Sequence, residues 1–502
     1  MNNYKAKIVK PLFFLIITEV LIGWTLANAE RRNSFIPQSA IRTPHSKLTE
    51  LTLGNGLHVI IDERPGSTTV HCSIMVGVGS RYESEGLNGI SHLIEHILFR
   101  ENWWPPYDNE EKLSCTNRQE ILNQISSAGG ILNGSTTFEY TRYYLTAPAS
   151  EFETVFEGLG KLVLEPCFNR RGVNLEKKVI LHEIAFTKNN PLAIAYYSLI
   201  DRVIPDDPLG RPIAGTTLSL KAINFDSVKD LYQTYYVPNN MTVVIVGGID
   251  TEIALREVEE IFSDTEKKHL PDKTIQGQVS TPRFSTKGKN FFRLKTLTKQ
   301  GYFALIVRTD GEIDEGIHAM RLLYSILGPG KNSRLYRKLK EEGLSDFFIA
   351  VDDFGPQELA SLSDIGIWGF VVGTRPDNLK RVEEIVLSEI EKMKSTPISE
   401  DELTIAKSET IGKLMIDFEN NEARAFIYGH WSVSGSSGRT DRNVCPTIDA
   451  FLQEIEKVST EQITHAVQEH FQDDRLLMFT IEPAKGLGVL WAAIKFLLFK
   501  RI

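Results

Sequence analysis

Apolar residues alternate with polar ones at Leu57, Val59 and Ile61, and again at Val70, Cys72, Ile74, Val76 and Val78. A period of two puts each set on one face of a strand. Cys72 therefore reads as a core residue. Apolar runs from Tyr143 to Ala147 and from Met241 to Val246 also predict strands, and the stretches between carry the spacing of amphipathic helices. Strands and helices interleaved over about 220 residues predict an α+β domain.

From about Thr265 to Asn290 the apolar period disappears and prolines and lysines take over, which reads as a linker. The pattern then begins again. Tyr302 to Val307 repeats the strand at Val70, Ile367 to Val372 repeats the strand at Tyr143, and Leu476 to Ile481 repeats the strand at Met241. A near-constant offset of about 230 residues marks an internal duplication. The expected organisation is an N-terminal domain over 45–265, a linker over 266–290, and a homologous domain over 291–486. Two such domains facing each other leave a space in which a ligand would sit.

The two ends differ from this pattern. Lys5, Lys7 and Lys10 precede an apolar run from Pro11 to Leu26, and Ala27-Asn28-Ala29 fits a small-x-small cleavage site. Residues 1–29 are therefore expected to be a signal peptide, giving a periplasmic or secreted protein. Glu19 interrupts the run, and the alternative is an uncleaved membrane anchor. Residues 487–502 form a second apolar stretch, short for a span and ending in Lys500-Arg501. A docked terminal helix and an interfacial membrane helix are the two readings, so membrane contact through the termini stays open.

Composition narrows the function classes. The 502 residues are 42% hydrophobic and 24% charged, with a formal charge of −9 and no basic stripe, which argues against a nucleic-acid partner. Four widely spaced cysteines (Cys72, Cys115, Cys167, Cys445) supply neither a disulfide scaffold nor a thiolate metal site.

The chemical signal is His92-Leu93-Ile94-Glu95-His96. Four residues apart on a helix, two imidazoles lie on one face and reach a single cation from consecutive turns. Glu95 borders the same face and is placed to act as general base toward a water whose pKa zinc lowers. Two histidines leave a catalytic zinc short of one protein ligand. The helical segment Leu175 to Glu183 offers Glu176 and Glu183, two turns apart on one stripe, and either carboxylate could face the pair. His182 points about 100° away from Glu183 and cannot readily share the metal with it.

The arrangement His92-x-x-Glu95-His96 is the inverted zinc motif, and its surroundings resemble the pitrilysin/insulinase metallopeptidases, including processing-peptidase-like bacterial members. The stretches Gly129 to Thr136, Pro208 to Gly215, Tyr235 to Met241 and Ser333 to Tyr336 are similar to that family's landmarks. The resemblance covers about residues 45 to 485. It implies two homologous α+β domains, each a sheet with helices packed on it, enclosing a chamber. It implies Zn2+ held by His92, His96 and Glu183, with Glu95 catalytic and Glu176 orienting the site. It further implies that peptide adds as a strand along Asn133, Gly134, Ser135 and Thr136, a mode tolerant of sequence.

Two stretches depart from the family. Residues 100–118, with Trp103-Trp104-Pro105-Pro106, read as an insertion directly after the metal helix. In the second half many members carry an Arg and a Tyr seven residues apart, and here Lys340 and Phe347 occupy that spacing. Phenylalanine has no hydroxyl to offer a developing oxyanion. A complete metal half beside a degraded partner half implies a heterodimer with a related non-zinc subunit that carries the Arg/Tyr pair. The leading expectation is a zinc-dependent endopeptidase. The runner-up is a non-catalytic peptide-binding or assembly subunit of the same family, which the filled ligand positions disfavour.

Overall fold

The computed structural model describes residues 47–99, 118–166, 168–187, 208–271, 290–296, 298–309, 316–328, 330–345, 347–351, 366–434 and 447–484. The signal segment 1–29, the insertion with Trp103, Trp104 and Cys115, most of the linker, and the tail 487–502 lie outside the described residues. No helix among the described residues is long and apolar enough to cross a membrane.

The first half is built on six strands: β1 (Lys47–Thr52), β2 (His58–Glu63), β3 (Thr69–Val76), β4 (Ile131–Thr136), β5 (Thr141–Pro148) and β6 (Met241–Gly247). They form one sheet in the order β1-β2-β6-β3-β5-β4, in which only the β2–β6 pair is parallel. Helices α1 (Ile90–Leu98), α2 (Arg118–Ser127), α3 (Phe152–Leu164), α4 (Arg170–Thr187), α5 (Thr217–Ala222), α6 (Phe225–Tyr235) and α7 (Thr251–Phe262) complete this half. The face that carries Val70, Cys72, Ile74 and Val76, together with Tyr143, Leu145, Val243 and Ile245, packs into one core with Leu93, Ile94, Leu159 and Val258 of the helices. Burial there pushes the Cys72 thiol pKa upward.

The second half repeats the scheme. Strands β7 (Asn290–Thr296), β8 (Gly301–Thr309), β9 (Phe347–Val351), β10 (Gly366–Thr374) and β11 (Leu476–Pro483) form a sheet in the order β7-β11-β8-β10-β9, again with one parallel pair, β7–β11. Read against the first sheet, β8 takes the place of β3, β10 of β5 and β11 of β6. Those are the three repeats visible in the sequence. Its helices are α8 (Ile317–Leu327), α9 (Arg334–Glu341), α10 (Leu379–Ser395), α11 (Glu400–Asp417), α12 (Asn421–Ser434), α13 (Ile448–Lys457) and α14 (Thr460–His470).

One helix crosses between the halves. Strict alternation in β3 predicts a strand wet on one side, yet His71, Ser73 and Met75 are as buried as their apolar neighbours. The cover is α12, which packs on β3 and β6. Arg424 of α12 donates from Nε to Asp62 Oδ2 at 2.6 Å, both side chains almost fully buried. Asn421 donates to Ser67 Oγ and to the Thr69 carbonyl, and Arg64 donates to the Glu419 carbonyl and Asn421 Oδ1. Gly429 lies over Met75, where a Cβ would come within 2.0 Å of Sδ. On the same face His71 is hydrogen-bonded at Nδ1 to Thr146 and at Nε2 to Ser73. Burial, aided by the Arg142 charge, lowers its pKa to about 3, so the ring is neutral at pH 7.

An ion pair this deep is costly to break from one side, because the remaining charge keeps its desolvation without its partner. Arg424→Met should therefore destabilise the full chain by about 3–5 kcal/mol, read as a lowered urea midpoint. Asp62→Asn combined with Arg424→Met should regain much of that loss. Equal losses in the single and double variants would show that the pairing itself contributes little.

Candidate metal centre

Helix α1 begins at Gly89, whose φ of +93° suits glycine and leaves no side chain to cap the helix. Ile90, Leu93, Ile94, Ile97 and Leu98 turn into the core, which directs His92, Glu95 and His96 toward α4 and β4. The imidazoles of His92 and His96 meet at 3.2 Å between their Nε2 atoms. Helix α4 brings both of its carboxylates to the pair. Glu183 Oε2 lies 3.6 Å from His96 Nε2, and Glu176 Oε2 lies 3.5 Å from His96 Nδ1. One ligand atom each from His92, His96 and Glu183 falls within 4.8 Å of the others. His182 is exposed on the same helix and takes no part in that group.

The electrostatics of the group follow from its depth. Burial, with the neighbouring His96 charge, lowers His92 to about 3, so its imidazole is neutral and carries a free lone pair at pH 7. Burial acts the same way on His96 but is outweighed by the hydrogen bond to Glu176 and the charges of Glu183, Glu95 and Glu176, which raise its pKa. Glu95 is raised by burial against the hydrogen bond from Thr136. Thr136 Oγ1 donates to Glu95 Oε2 at 2.5 Å. His92 Nδ1 is buried with no hydrogen-bond partner among the described residues. Two ring nitrogens facing each other beside a carboxylate oxygen bring three potential ligand atoms together. That nitrogen, nitrogen and oxygen set fits a zinc ion with an open position.

Strand β4 supplies the wall beside the group and is the outer strand of its sheet among the described residues. Gly134 faces Glu95 so closely that a Cβ would sit 2.5 Å from the Phe99 ring and 3.1 Å from Glu95 Cγ. Asn133 is exposed and uses Oδ1 to accept from the Gly134 N–H at 2.9 Å, and Ser135 is half-buried. Of the four residues expected to take peptide, Thr136 is buried and is the one whose side chain bonds to Glu95. Lys340 is exposed on α9 in the other half.

Comparison with known proteins bears on this geometry. A family model described as insulinase (peptidase family M16) matches residues 58–217, and one described as the peptidase M16 inactive domain matches residues 222–410. The chain belongs to the M16 peptidase family. It is 27% identical over 419 residues to an uncharacterized zinc protease of Mycobacterium leprae, covering 82% of this chain and 86% of that protein. It is 24% identical to the uncharacterized zinc protease YmxG of Bacillus subtilis, covering 87% of this chain and 98% of that one. Among solved structures it resembles in fold a protease from Helicobacter pylori (TM-score 0.74, 19% identity, 87% of this chain and all of that one). It also resembles a peptidase M16 inactive domain structure from Pseudomonas fluorescens (TM-score 0.72, 16% identity, 88% and 98%). Membership accounts for the two-domain α+β fold expected from the motif and the repeats.

Two side chains of this M16 member that hold α1 had no signal in the sequence. At its start, Glu83 accepts from the backbone N–H of Gly89 on Oε2 and of Ser91 on Oε1, both at 2.8 Å. Burial raises the Glu83 carboxyl to about 7, against the pull of those donors and of Arg211. At its end, Arg118 donates to the carbonyl of Leu98 and also to those of Leu162 and Glu165, joining the C-terminal ends of α1 and α3. A carboxyl acceptor at the N-terminus and a cation at the C-terminus both complement the helix dipole. Neither residue lies in a spacing pattern, because both reach α1 from outside it.

The Gly134 contact yields a direct test. Gly134→Val should push Glu95 off its position while leaving His92, His96 and Glu183 in place, so zinc uptake measured by metal analysis persists. A displacement on the order of 1 Å at a reacting group lowers the rate by about 10²-fold, and peptide hydrolysis should fall by that factor. Unchanged hydrolysis would mean that β4 does not set the position of Glu95.

Proposed function

We propose that this chain is a zinc-dependent endopeptidase acting on peptides or unfolded segments, with His92, His96 and Glu183 as metal ligands and Glu95 as general base. The observation that carries the reading is the convergence of two imidazoles and one carboxylate beside a second, hydrogen-bonded carboxyl. Zinc bound there would act as Lewis acid and water activator. Glu95, held by Thr136, takes the proton from the attacking water and can return it to the leaving amine. Glu176, against His96 Nδ1, fixes the orientation of that ring. The outer edge of β4 at Asn133 to Thr136, the end of its sheet among the described residues, receives the substrate backbone as an added strand.

In this reading residues 45–265 form the metal-binding domain and 291–486 its homologous companion, and the product of residues 1–29 is export to the periplasm or beyond. The Lys340 and Phe347 spacing supports a second, related subunit that contributes the Arg/Tyr pair. The names of the relatives, zinc proteases in two bacteria, support the chemistry and the metal.

Two measurements test it. Glu95→Gln should retain one zinc per chain and lower hydrolysis of a quenched peptide library by at least 10²-fold, as should chelation of the wild-type metal. Cleavage by Glu95→Gln at the wild-type rate would remove Glu95 from the chemistry. The isolated chain should be slow and should accelerate when the co-purifying homologue is added. Full rate from the chain alone would dismiss the heterodimer.

A further inference from the structure

The segment from Pro208 to Gly215 lies far from the His pair in sequence and carries no metal ligand, yet it is seated on the start of α1. A Cβ on Gly89 would come within 2.6 Å of the Ala214 carbonyl oxygen, and one on Gly215 within 2.2 Å of the Asn88 carbonyl oxygen. Both glycines have positive φ, +93° and +73°. Two backbones meeting without side chains between them fix the helix start against the loop. Arg211, in the middle of the loop, extends the contact. It donates from Nη2 to the Glu83 carbonyl at 3.4 Å and from Nε to the Pro208 carbonyl at 3.3 Å. With its amide oxygen turned toward the guanidinium, Asn88 accepts from Arg211 Nε at 3.0 Å and Nη1 at 3.3 Å.

Glu83 stands between this loop and the metal ligands. Glu83 is 4% exposed, and its carboxyl caps the start of α1. The donor on Ser91 belongs to the residue immediately before His92, so the bond holds the turn from which that imidazole projects. Helix α1 has nine residues, and its first N–H groups are a large share of its backbone donors. An end held by a side-chain acceptor frays less than an uncapped end of so short a helix. Arg211, bonded to the Glu83 carbonyl, also places a positive charge near that carboxyl.

Building on the zinc reading above, we propose that Glu83 and Arg211 are positioning residues for the metal. The loop Pro208 to Gly215 locks the first turn of α1 through them, so that zinc affinity at His92 depends on side chains that touch neither metal nor substrate. His96, one turn further on and held by Glu176, is less dependent on this end of the helix.

Full-length wild type, Glu83→Gln, Arg211→Lys and Glu85→Gln would be compared for zinc affinity by chelator competition, for thermal unfolding of the metal-free chain, and for kcat and KM on a quenched peptide. Outer groups that orient metal ligands typically change affinity by about 10–100-fold. Glu83→Gln, whose amide can accept only one of the two N–H bonds, should weaken zinc binding by that factor and lower kcat with KM unchanged. Arg211→Lys keeps the charge but loses the forked donor and should move in the same direction by less. Glu85→Gln, exposed in the same turn, should match wild type. A folded Glu83→Gln chain with wild-type zinc affinity, whatever its unfolding temperature, would reduce Glu83 to a structural cap and overturn the inference. Should Glu83→Gln fail to fold, Arg211→Lys decides alone, and unchanged affinity there overturns it equally. Wild type that takes up no zinc would overturn the proposed function and this inference together, whereas wild type that binds zinc beside an unaffected Glu83→Gln overturns the inference only.

Discussion

Everything at the candidate site depends on the packing of α1 against α4. Two imidazoles and three carboxylates, from Glu95, Glu176 and Glu183, are gathered in a region where His92 and Glu95 are half-buried. Such an excess of acceptors and negative charge is unfavourable in low dielectric unless a cation or a proton is shared among them. The apolar stripe of α1 holds the helix in place from below, through Leu93, Ile94 and Ile97 in the core. The polar face then has no alternative but to meet α4. A divalent ion is the simplest species that satisfies the lone pairs left facing one another.

The ends of α1 are treated with the same economy of means. Glu83 meets the N-terminal donors and Arg118 the C-terminal Leu98 carbonyl, each buried and each suited to the helix end it touches. The helix is therefore held by its core contacts, by charge at both ends, and by loop backbone at Gly89. Rigid placement of ligands is what allows a metal to be bound without reorganisation.

The duplication produces two sheets of matching strand order but unequal roles. The first carries the His pair and Glu95 beside β4. The second has no such group among its described residues, and it sends α12 back over the first sheet. The buried Asp62–Arg424 pair and the Asn421 hydrogen bonds make that return a specific contact. The first half is thus not closed by its own residues: a helix more than 350 positions from Asp62 in sequence covers one face of its sheet.

Period-two alternation located β3 and its companions, the repeated pattern located β8, β10 and β11, and four-residue spacing put both imidazoles on one helix face. Those features are local, so a single chain segment carries all the information. The choice between Glu176 and Glu183 was not local. Both lie on one stripe of α4, and only the crossing of α4 with α1 sets one carboxylate against Nε2 and the other against Nδ1 of His96. Burial of His71, Ser73 and Met75 was likewise invisible, since their polar alternation predicts solvent and the covering helix belongs to the other half. Glu83, Arg118 and Arg211 carry no spacing at all. A periodic pattern records which side of an element is apolar, whereas a cap, an ion pair or a ligand contributed by a distant segment exists only once two elements are brought together in space.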